Sequence, residues 1–299
     1  MSADLTNPIF SYETEARKHL EALRWPHGPV CPHCDETEKI TKLKGKSHRP
    51  GLYQCNGCRQ HFTVTVGTLF EDSHIKLHKW LLAFHLMASS KKGISSHQLH
   101  RMLGITYKSA WFMTHRIREA MKADHTKHML GGNGPVEADE TFIGTKPGTQ
   151  KRRGYAHKNA VLSLVERNGE VRSFHVPNVS AKTLRPYLKY HVDPETCLMT
   201  DDAGQYRLIG PEFAKHDVVC HSNDEYVRGE VHTNTVEGFF SILKRGLVGV
   251  YQHVGVQHLQ RYVTEFDVRY NHRKDTDFQR ATQALLGIVG KRLTYRRIS

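Results

Sequence analysis

The chain has 299 residues, with 43 Lys and Arg against 30 Asp and Glu, which leaves a formal charge of +13 with histidine neutral. Hydrophobic residues at 38%, charged at 24% and aromatic at 9% make a globular mix that excludes intrinsic disorder for the bulk of the chain, and the length suggests about two domains. Apolar stretches such as Trp80 to Met87, broken by His85, fall far short of the roughly 18 residues of a membrane span, and Met1 to Asn7 shows no basic segment leading into an apolar core.

A soluble intracellular protein is therefore expected, and the positive surplus points to a polyanion, nucleic acid first. Ser11 to Leu23 has helical apolar spacing among many charges, ended by Arg24-Trp25-Pro26. Two C-x-x-C units follow, Cys31-Pro-His-Cys34 and Cys55-Asn-Gly-Cys58, with twenty residues between them. Each unit aims two thiolates at one point, and two units complete the tetrahedral S4 shell that suits structural Zn2+. Two disulfides or a redox dithiol are the alternatives; a reducing compartment disfavours the first, and the second needs only one pair. Gly57 and Pro32 keep the turns tight, and Leu52-Tyr53-Gln54 is the strand entering the second. Cys197 and Cys220 are expected to be core residues, and His33 and His61 bystanders.

Leu77 to Met87 is a helix with Leu77, Trp80, Leu81, Phe84 and Met87 on one side. A short helix capped by Ser95 and ended by Gly104 precedes a second, basic helix from Tyr107 to Lys122. This is the arrangement of a helix-turn-helix, with a plain helical hairpin as the alternative. Met129 to Pro135 holds three Gly and a Pro in seven residues and predicts a hinge. Beyond it the pattern changes to strands: Pro135 to Ile143, then Ala156 to Glu166 and Glu170 to Val176 joined by the hairpin turn Arg167-Asn168-Gly169. Helices at Ala181 to Tyr190, Thr235 to Leu247 and Gln257 to Tyr270, with a strand at Thr196 to Thr200, complete a mixed α/β domain.

Three acids in this basic chain sit where chemistry would need them. Asp139 lies on the first strand, Asp201 ends an apolar strand, and Glu237 follows after thirty-five intervening residues. Any one of them alone reads as a solvated surface acid; converging, they could hold two hard cations such as Mg2+ or Mn2+ for phosphodiester chemistry. Lys244 is two helical turns beyond Glu237, about 10 Å along the same face, and Asn234 is one turn before it. The alternative is a simple amphipathic helix with Phe239, Phe240, Leu243 and Leu247 as its core stripe.

With these features in place, the sequence resembles the bacterial insertion-sequence DDE transposases of the ISXO-like type. The stretches that carry the likeness are Trp25-Pro26 before the first cysteine pair, Phe62 to Phe70, Gly93 to Met121, Glu137 to Gly144 and His232 to Gly249. Arg261-Tyr262, Glu265 to Asn271 and Lys291 to Tyr295 continue it, so it covers nearly the whole chain. The resemblance implies an RNase H-like (retroviral-integrase-like) mixed sheet flanked by helices, preceded by a zinc ribbon and a helix-turn-helix. By the same likeness Asp139 and Asp201 are the first two catalytic acids and metal ligands, with Asp202 competing for the second place. The third position stays open between Glu237, which the interval and Lys244 favour, and Asn234.

The implied layout is an N-terminal helix (1–28), a zinc ribbon (29–70), a helix-turn-helix region (71–130), a catalytic domain (135–275) and a basic tail (276–299). The implied activity is binding of terminal inverted repeats, strand cleavage and strand transfer, with two Mg2+ or Mn2+ ions. Lys108, His115, Arg116, Arg118, Lys244 and Arg245 are the expected DNA contacts. Lys91-Lys92, Lys151-Arg152-Arg153 and Arg296-Arg297 are further basic groups, for which solvated surface is the alternative. At least a dimer in the synaptic complex and a bacterial cytoplasmic, nucleoid-associated location complete the expectation. Its rivals are a catalytically idle DNA-binding regulator and a metal-dependent nuclease without strand transfer.

Overall fold

Ala16 and Leu20 sit one turn apart on the inner side of helix α1 (Glu13–Arg24) and are fully buried. Its C-terminal neighbour Trp25 meets Tyr53 and Phe62 edge-on, at ring separations of 5.5 and 5.8 Å, so the helix ends where the aromatic core of the next element begins. That element is an antiparallel sheet of β1 (Ile40–Lys42), β2 (Tyr53–Cys55) and β3 (His61–Phe62), in that order. The computed structural model describes residues 5–122, 128–150, 153–220, 225 and 227–294. It divides into one unit of Met1–Ser90, Ile94–Met121 and Asp275–Ser299, and a second of Lys91–Gly93 and Lys122–Lys274.

In the first unit α2 (Leu77–Ser89) buries Leu77, Trp80, Leu81, Phe84 and Met87, the stripe read from the sequence. The helix α3 (Ser96–Leu103) starts at Ser95, whose hydroxyl accepts from the Gln98 N–H at 3.1 Å, and stops at Gly104 in the left-handed conformation (φ 58°). After a three-residue turn, α4 (Tyr107–Ala120) is capped by Thr106 in the same way. Helix, turn and helix stand as expected.

The second unit is built on a five-stranded sheet: β4 (Val136–Ile143), β5 (Asn159–Glu166), β6 (Val171–Val176), β7 (Cys197–Asp201) and β8 (Lys215–Val219), in spatial order β6-β5-β4-β7-β8. β4, β5 and β6 are antiparallel neighbours, whereas β7 and β8 run parallel to β4. This is the RNase H-like arrangement. Helices α5 (Ala181–His191) and α6 (Gly204–Ile209) cover one face, where Val136, Ala138, Leu162, Leu164 and Leu198 meet Leu184, Leu188 and Tyr206. The hairpin β9 (Val227–Arg228) and β10 (Val231–His232) leads to α7 (Asn234–Gly246) and α8 (Leu259–Asn271). These two helices cover the other face, where Val161, Val165 and Val171 meet Phe239, Phe240, Leu243 and Phe266.

Three sequence readings are corrected. The glycine-rich stretch before β4 is not a hinge but part of the second unit: Leu130 is fully buried in its core and bridges to Val192. The Gly131 and Asn133 N–H groups both donate to Glu166 Oε1 at 2.9 Å, and a Cβ on Gly131 (φ 116°) would collide with Thr196. The segment 276–299 is not simply a basic tail, because it opens with α9 (Asp277–Leu286), capped by Thr276 and packed on α2 in the first unit. Cys197 and Cys220 are half-exposed rather than core, with their thiols donating to Asp217 and Asp202.

Candidate active site and metal centres

The four cysteines converge. Their sulfurs lie within 4.8 Å of one another, with Cys31 to Cys58 at 3.7 Å and Cys34 to Cys55 at 3.6 Å. A tetrahedral site with Zn–S bonds of about 2.3 Å requires sulfur separations of about 3.8 Å, so the group fits Zn2+. The two turns are built alike. The Cys31 N–H donates to Glu36 O and the Cys55 N–H to Gln60 O, both at 3.0 Å. The left-handed residue that closes each turn is Asp35 (φ 59°) or Arg59 (φ 62°), not Gly57. The Cys58 N–H, the first of several donors to Cys55 Sγ, pulls that thiol down to about 7, whereas the Cys34 thiol, against the pull of the Glu36 N–H, is pushed up to about 12 by the neighbouring Cys58 thiol; metal binding at such a site releases thiol protons. His33 and His61 are exposed and stand outside the group.

In the second unit the sheet register brings the acids together. Val136 pairs with Leu198 and Glu137 with Met199 in the parallel β4–β7 ladder; continuing it two residues sets Asp139 level with Asp201. Both have the parity of Glu137 and Met199, opposite to the residues packed under α5 and α6, so they share the α7 face. β7 stops at Asp201 while β4 continues to Ile143. A cleft of about 570 Å³ opens there, lined by Asp139, Glu140, Asp201, Gln205 and Lys244 among others. The ends of parallel strands are where such folds place their chemistry.

Asp139 is pushed up to about 8, first by burial and then by the charges of Asp201 and Glu140, with a smaller push from Glu237. Glu140 is raised to about 7 by burial, against the pull of the Tyr206 hydroxyl, which donates to it at 2.7 Å. Crowded, half-buried carboxyls that repel one another are a donor set a hard divalent cation would relieve. Among the described residues, however, only the four cysteines close within 4.8 Å as a group of three or more metal-binding side chains; Asp139, Asp201 and Glu237 do not. Glu237 is exposed on the first turns of α7, held by the Thr233 hydroxyl at 3.0 Å, and Asn234 is exposed at the helix start. Asp202, the competing acid, accepts from the Cys220 thiol instead.

Glu137 is a residue that the sequence reading passed over. It is fully buried, and its carboxylate accepts from the Thr235 N–H (2.8 Å), the Val236 N–H (3.0 Å) and the Thr235 hydroxyl (2.8 Å). Arg167 Nε donates to the same carboxylate at 2.7 Å. Thr233 gives α7 no side-chain cap, so Glu137 caps it from the sheet and ties it to β4 two residues before Asp139. The signal was present: Glu137 shares the parity of Asp139 on a strand read correctly.

The expected DNA contacts divide. Lys108, Lys244 and Arg245 are exposed. His115 and Arg118 are buried at 1% exposure each, Arg118 in line with Ala110, Thr114 and Met121 and His115 against the Trp111 ring at 4.3 Å. Neither presents its side chain to a phosphate, which corrects that expectation. Arg116 is half-buried, with its guanidinium donating to Leu69 O and Leu293 O. Lys91 and Lys92 are exposed, as is Arg153; Lys151, Arg152, Arg296 and Arg297 lie outside the described residues.

Residues 11–61 match the transposase zinc-ribbon domain family, and residues 130–271 match the ISXO2-like transposase domain family. The chain is 28% identical over 277 residues to an uncharacterized protein in transposable element ISH50 of Halobacterium salinarum, across 87% of this chain and 91% of that protein. It is also similar to a chain in the cryo-EM structure of a simian T-cell lymphotropic virus intasome in complex with PP2A regulatory subunit B56 gamma. That likeness has 13% identity and a TM-score of 0.31, over 68% of this chain and 72% of the other.

Proposed function

We propose that this chain, whose residues 130–271 match the ISXO2-like transposase domain family and residues 11–61 the transposase zinc-ribbon domain family, is a transposase that binds the terminal inverted repeats of an insertion sequence and catalyses DNA strand cleavage and strand transfer. The observation that carries the reading is that Asp139 and Asp201, on adjacent parallel strands, line one cleft together with Lys244. Asp139, Asp201 and Glu237 are the residues to hold two Mg2+ or Mn2+ ions, which when bound would supply activation of the attacking oxygen and charge stabilisation at the leaving one. Asn234, at the start of α7, is the second candidate for the third place.

In the first step the oxygen of water attacks the phosphorus at the transposon end, and the bond to the 3′ oxygen breaks to leave a 3′-hydroxyl. That hydroxyl then attacks a target phosphodiester in line, its new bond to phosphorus forming as the bond to the target's 3′ oxygen breaks and leaves a 3′-hydroxyl on the target strand, so no covalent protein intermediate is required. Lys244 meets a phosphate beside the scissile bond, and Arg245 one further along the same helix. The zinc ribbon and the α3–α4 helix-turn-helix bind the repeat, with Lys108 in the exposed first turn of α4. Two ends brought together require at least a dimer. No described helix is long and apolar enough to cross a membrane, and action on bacterial DNA places the protein with the nucleoid.

The test is joining of a labelled inverted-repeat end to plasmid in Mg2+ or Mn2+. Asp139→Ala, Asp201→Ala and Glu237→Ala are expected to bind the end and fail to join it. Activity in Glu237→Ala with none in Asn234→Ala would reassign the third residue. Wild type that binds the end and never nicks it would replace this reading with that of a regulator.

A further inference from the structure

Beside the carboxylates, the same cleft has an aromatic wall that the cleavage chemistry does not use. Tyr155 and Phe142 stack face to face, with ring centroids 4.5 Å apart and planes 5° from parallel. Phe142 is anchored against the α5 side of the core, whereas Tyr155 is 59% exposed. Lys158 Nζ lies over the Tyr155 ring, 5.3 Å from its centroid. The loop carrying Tyr155 is pinned to the ends of the hairpin: the Lys146 N–H donates to His157 O at 2.8 Å and Asn159 Nδ2 to Ile143 O at 3.2 Å.

Stacking on Phe142 fixes the plane of the Tyr155 ring and covers one of its faces, leaving much of the ring in water. A large apolar surface left in water is unfavourable, and Phe142 orients the ring without enclosing it. The cleft's volume, about 570 Å³, is in the range of sites that hold a ligand of nucleotide size. Its walls offer an aromatic face, Lys158 and Lys244, and its floor offers carboxylates. A cation over an aromatic face is a combination that takes a nucleobase on the ring and a phosphate on the ammonium.

We propose that Tyr155, backed by Phe142, is a stacking platform for one unpaired nucleobase of the DNA strand being processed, with Lys158 moving from the ring to the phosphate beside that base. The inference rests on the DNA-processing reading above and deepens it, since it requires the strand to be splayed at the carboxylates rather than held as intact duplex. Stacking on a π-face is tolerant of base identity, so the platform orients the strand without reading its sequence.

The experiment uses the full zinc-loaded chain, with Ca2+ as the divalent ion, and a short duplex carrying a single-stranded tail of mixed sequence with one 2-aminopurine. Wild type is expected to quench the 2-aminopurine, Tyr155→Phe to retain the quench and Tyr155→Leu to lose it. Affinity for the tailed duplex should fall roughly ten-fold in Tyr155→Leu. An abasic site in place of the 2-aminopurine should weaken wild type by a similar factor and Tyr155→Leu hardly at all. Equal quenching in wild type and Tyr155→Leu, or an equal abasic penalty in both, overturns the platform while leaving the functional reading intact. Wild type that binds neither duplex nor tail overturns the functional reading and the platform with it.

Discussion

Asp267 is enclosed between α8 and β6, and burial pushes its carboxyl up to about 7 although the Ser173 N–H donates to it at 2.9 Å. Its folded value lies above the unfolded value of about 3.9. Its contribution to stability is therefore fully present below about pH 4 and is lost as pH rises through about 7. Asp267→Asn keeps an oxygen for the Ser173 N–H and removes the ionisation. Thermal melts should place the variant at or below wild type at pH 5 and above it at pH 8; the same difference at both pH values would contradict the raised carboxyl. A single side chain also explains where the basic-residue reading went astray. His115 and Arg118 are written among lysines and arginines, but Arg118 is one turn from Met121 and Thr114 and two from Ala110 on a buried side of α4. Helical spacing, applied to charged residues as strictly as to apolar ones, would have placed it inside.

The helices over the α7 face are attached to the sheet by polar side chains as much as by apolar packing. Gln260, Asp267 and Asn271 on α8 bond the backbone of alternate residues of edge strand β6: His175, Ser173 and Val171. The outward groups of that edge are thereby occupied along its length, which removes it as a template for another strand. At α7 the Glu137 carboxylate does the work of a helix cap and neutralises Arg167 as well. Removing one partner of a buried ion pair costs about 3–5 kcal/mol, so Glu137→Ala should destabilise the second unit by about that amount in a denaturant titration. Glu137→Gln, which retains acceptor capacity, should fall between. Because the cap fixes Glu237 relative to Asp139, the same series should lose strand joining more steeply than repeat binding. An Ala variant as stable as wild type would remove Glu137 from this role.

Across the whole chain, stability is distributed between two units with different sources. The second rests on two apolar layers packed on a five-stranded sheet. The zinc ribbon of the first has strands of only two or three residues, and metal ligation supplies what so small a core does not. Stripping zinc with a strong chelator should therefore raise amide exchange across Tyr53–Cys55 and His61–Phe62 while β5 keeps its protection. Loss of protection in both places together would mean that the ribbon and the sheet unfold as one cooperative element. The charge of +13 acts at this level too. It attracts DNA over a Debye length, about 8 Å at physiological salt, and it does not choose which basic residues make contact.

What was legible in the amino-acid order was whatever the covalent chain enforces over a few residues. The cysteine pairs form their knuckles locally, Ser95 and Gly104 bound α3, and Arg167-Asn168-Gly169 turns the hairpin with Asn168 in the left-handed region (φ 61°). Periodicity placed β4, β5, β7, α5, α7 and α8 to within a few residues, and an apolar strand ending on Asp201 marked that acid. Strand β8 escaped because it begins on charged residues at a half-exposed edge, and α9 because its apolar face is completed by α2 rather than by its own sequence. The meeting of Asp139 and Asp201 in one cleft, the capping of α7 by Glu137 and the stacking of Tyr155 on Phe142 join residues far apart in the chain or across a turn. Their geometry follows from register and packing between elements, which is a property of the assembled fold, because local sequence sets each element's faces but not which face meets which partner.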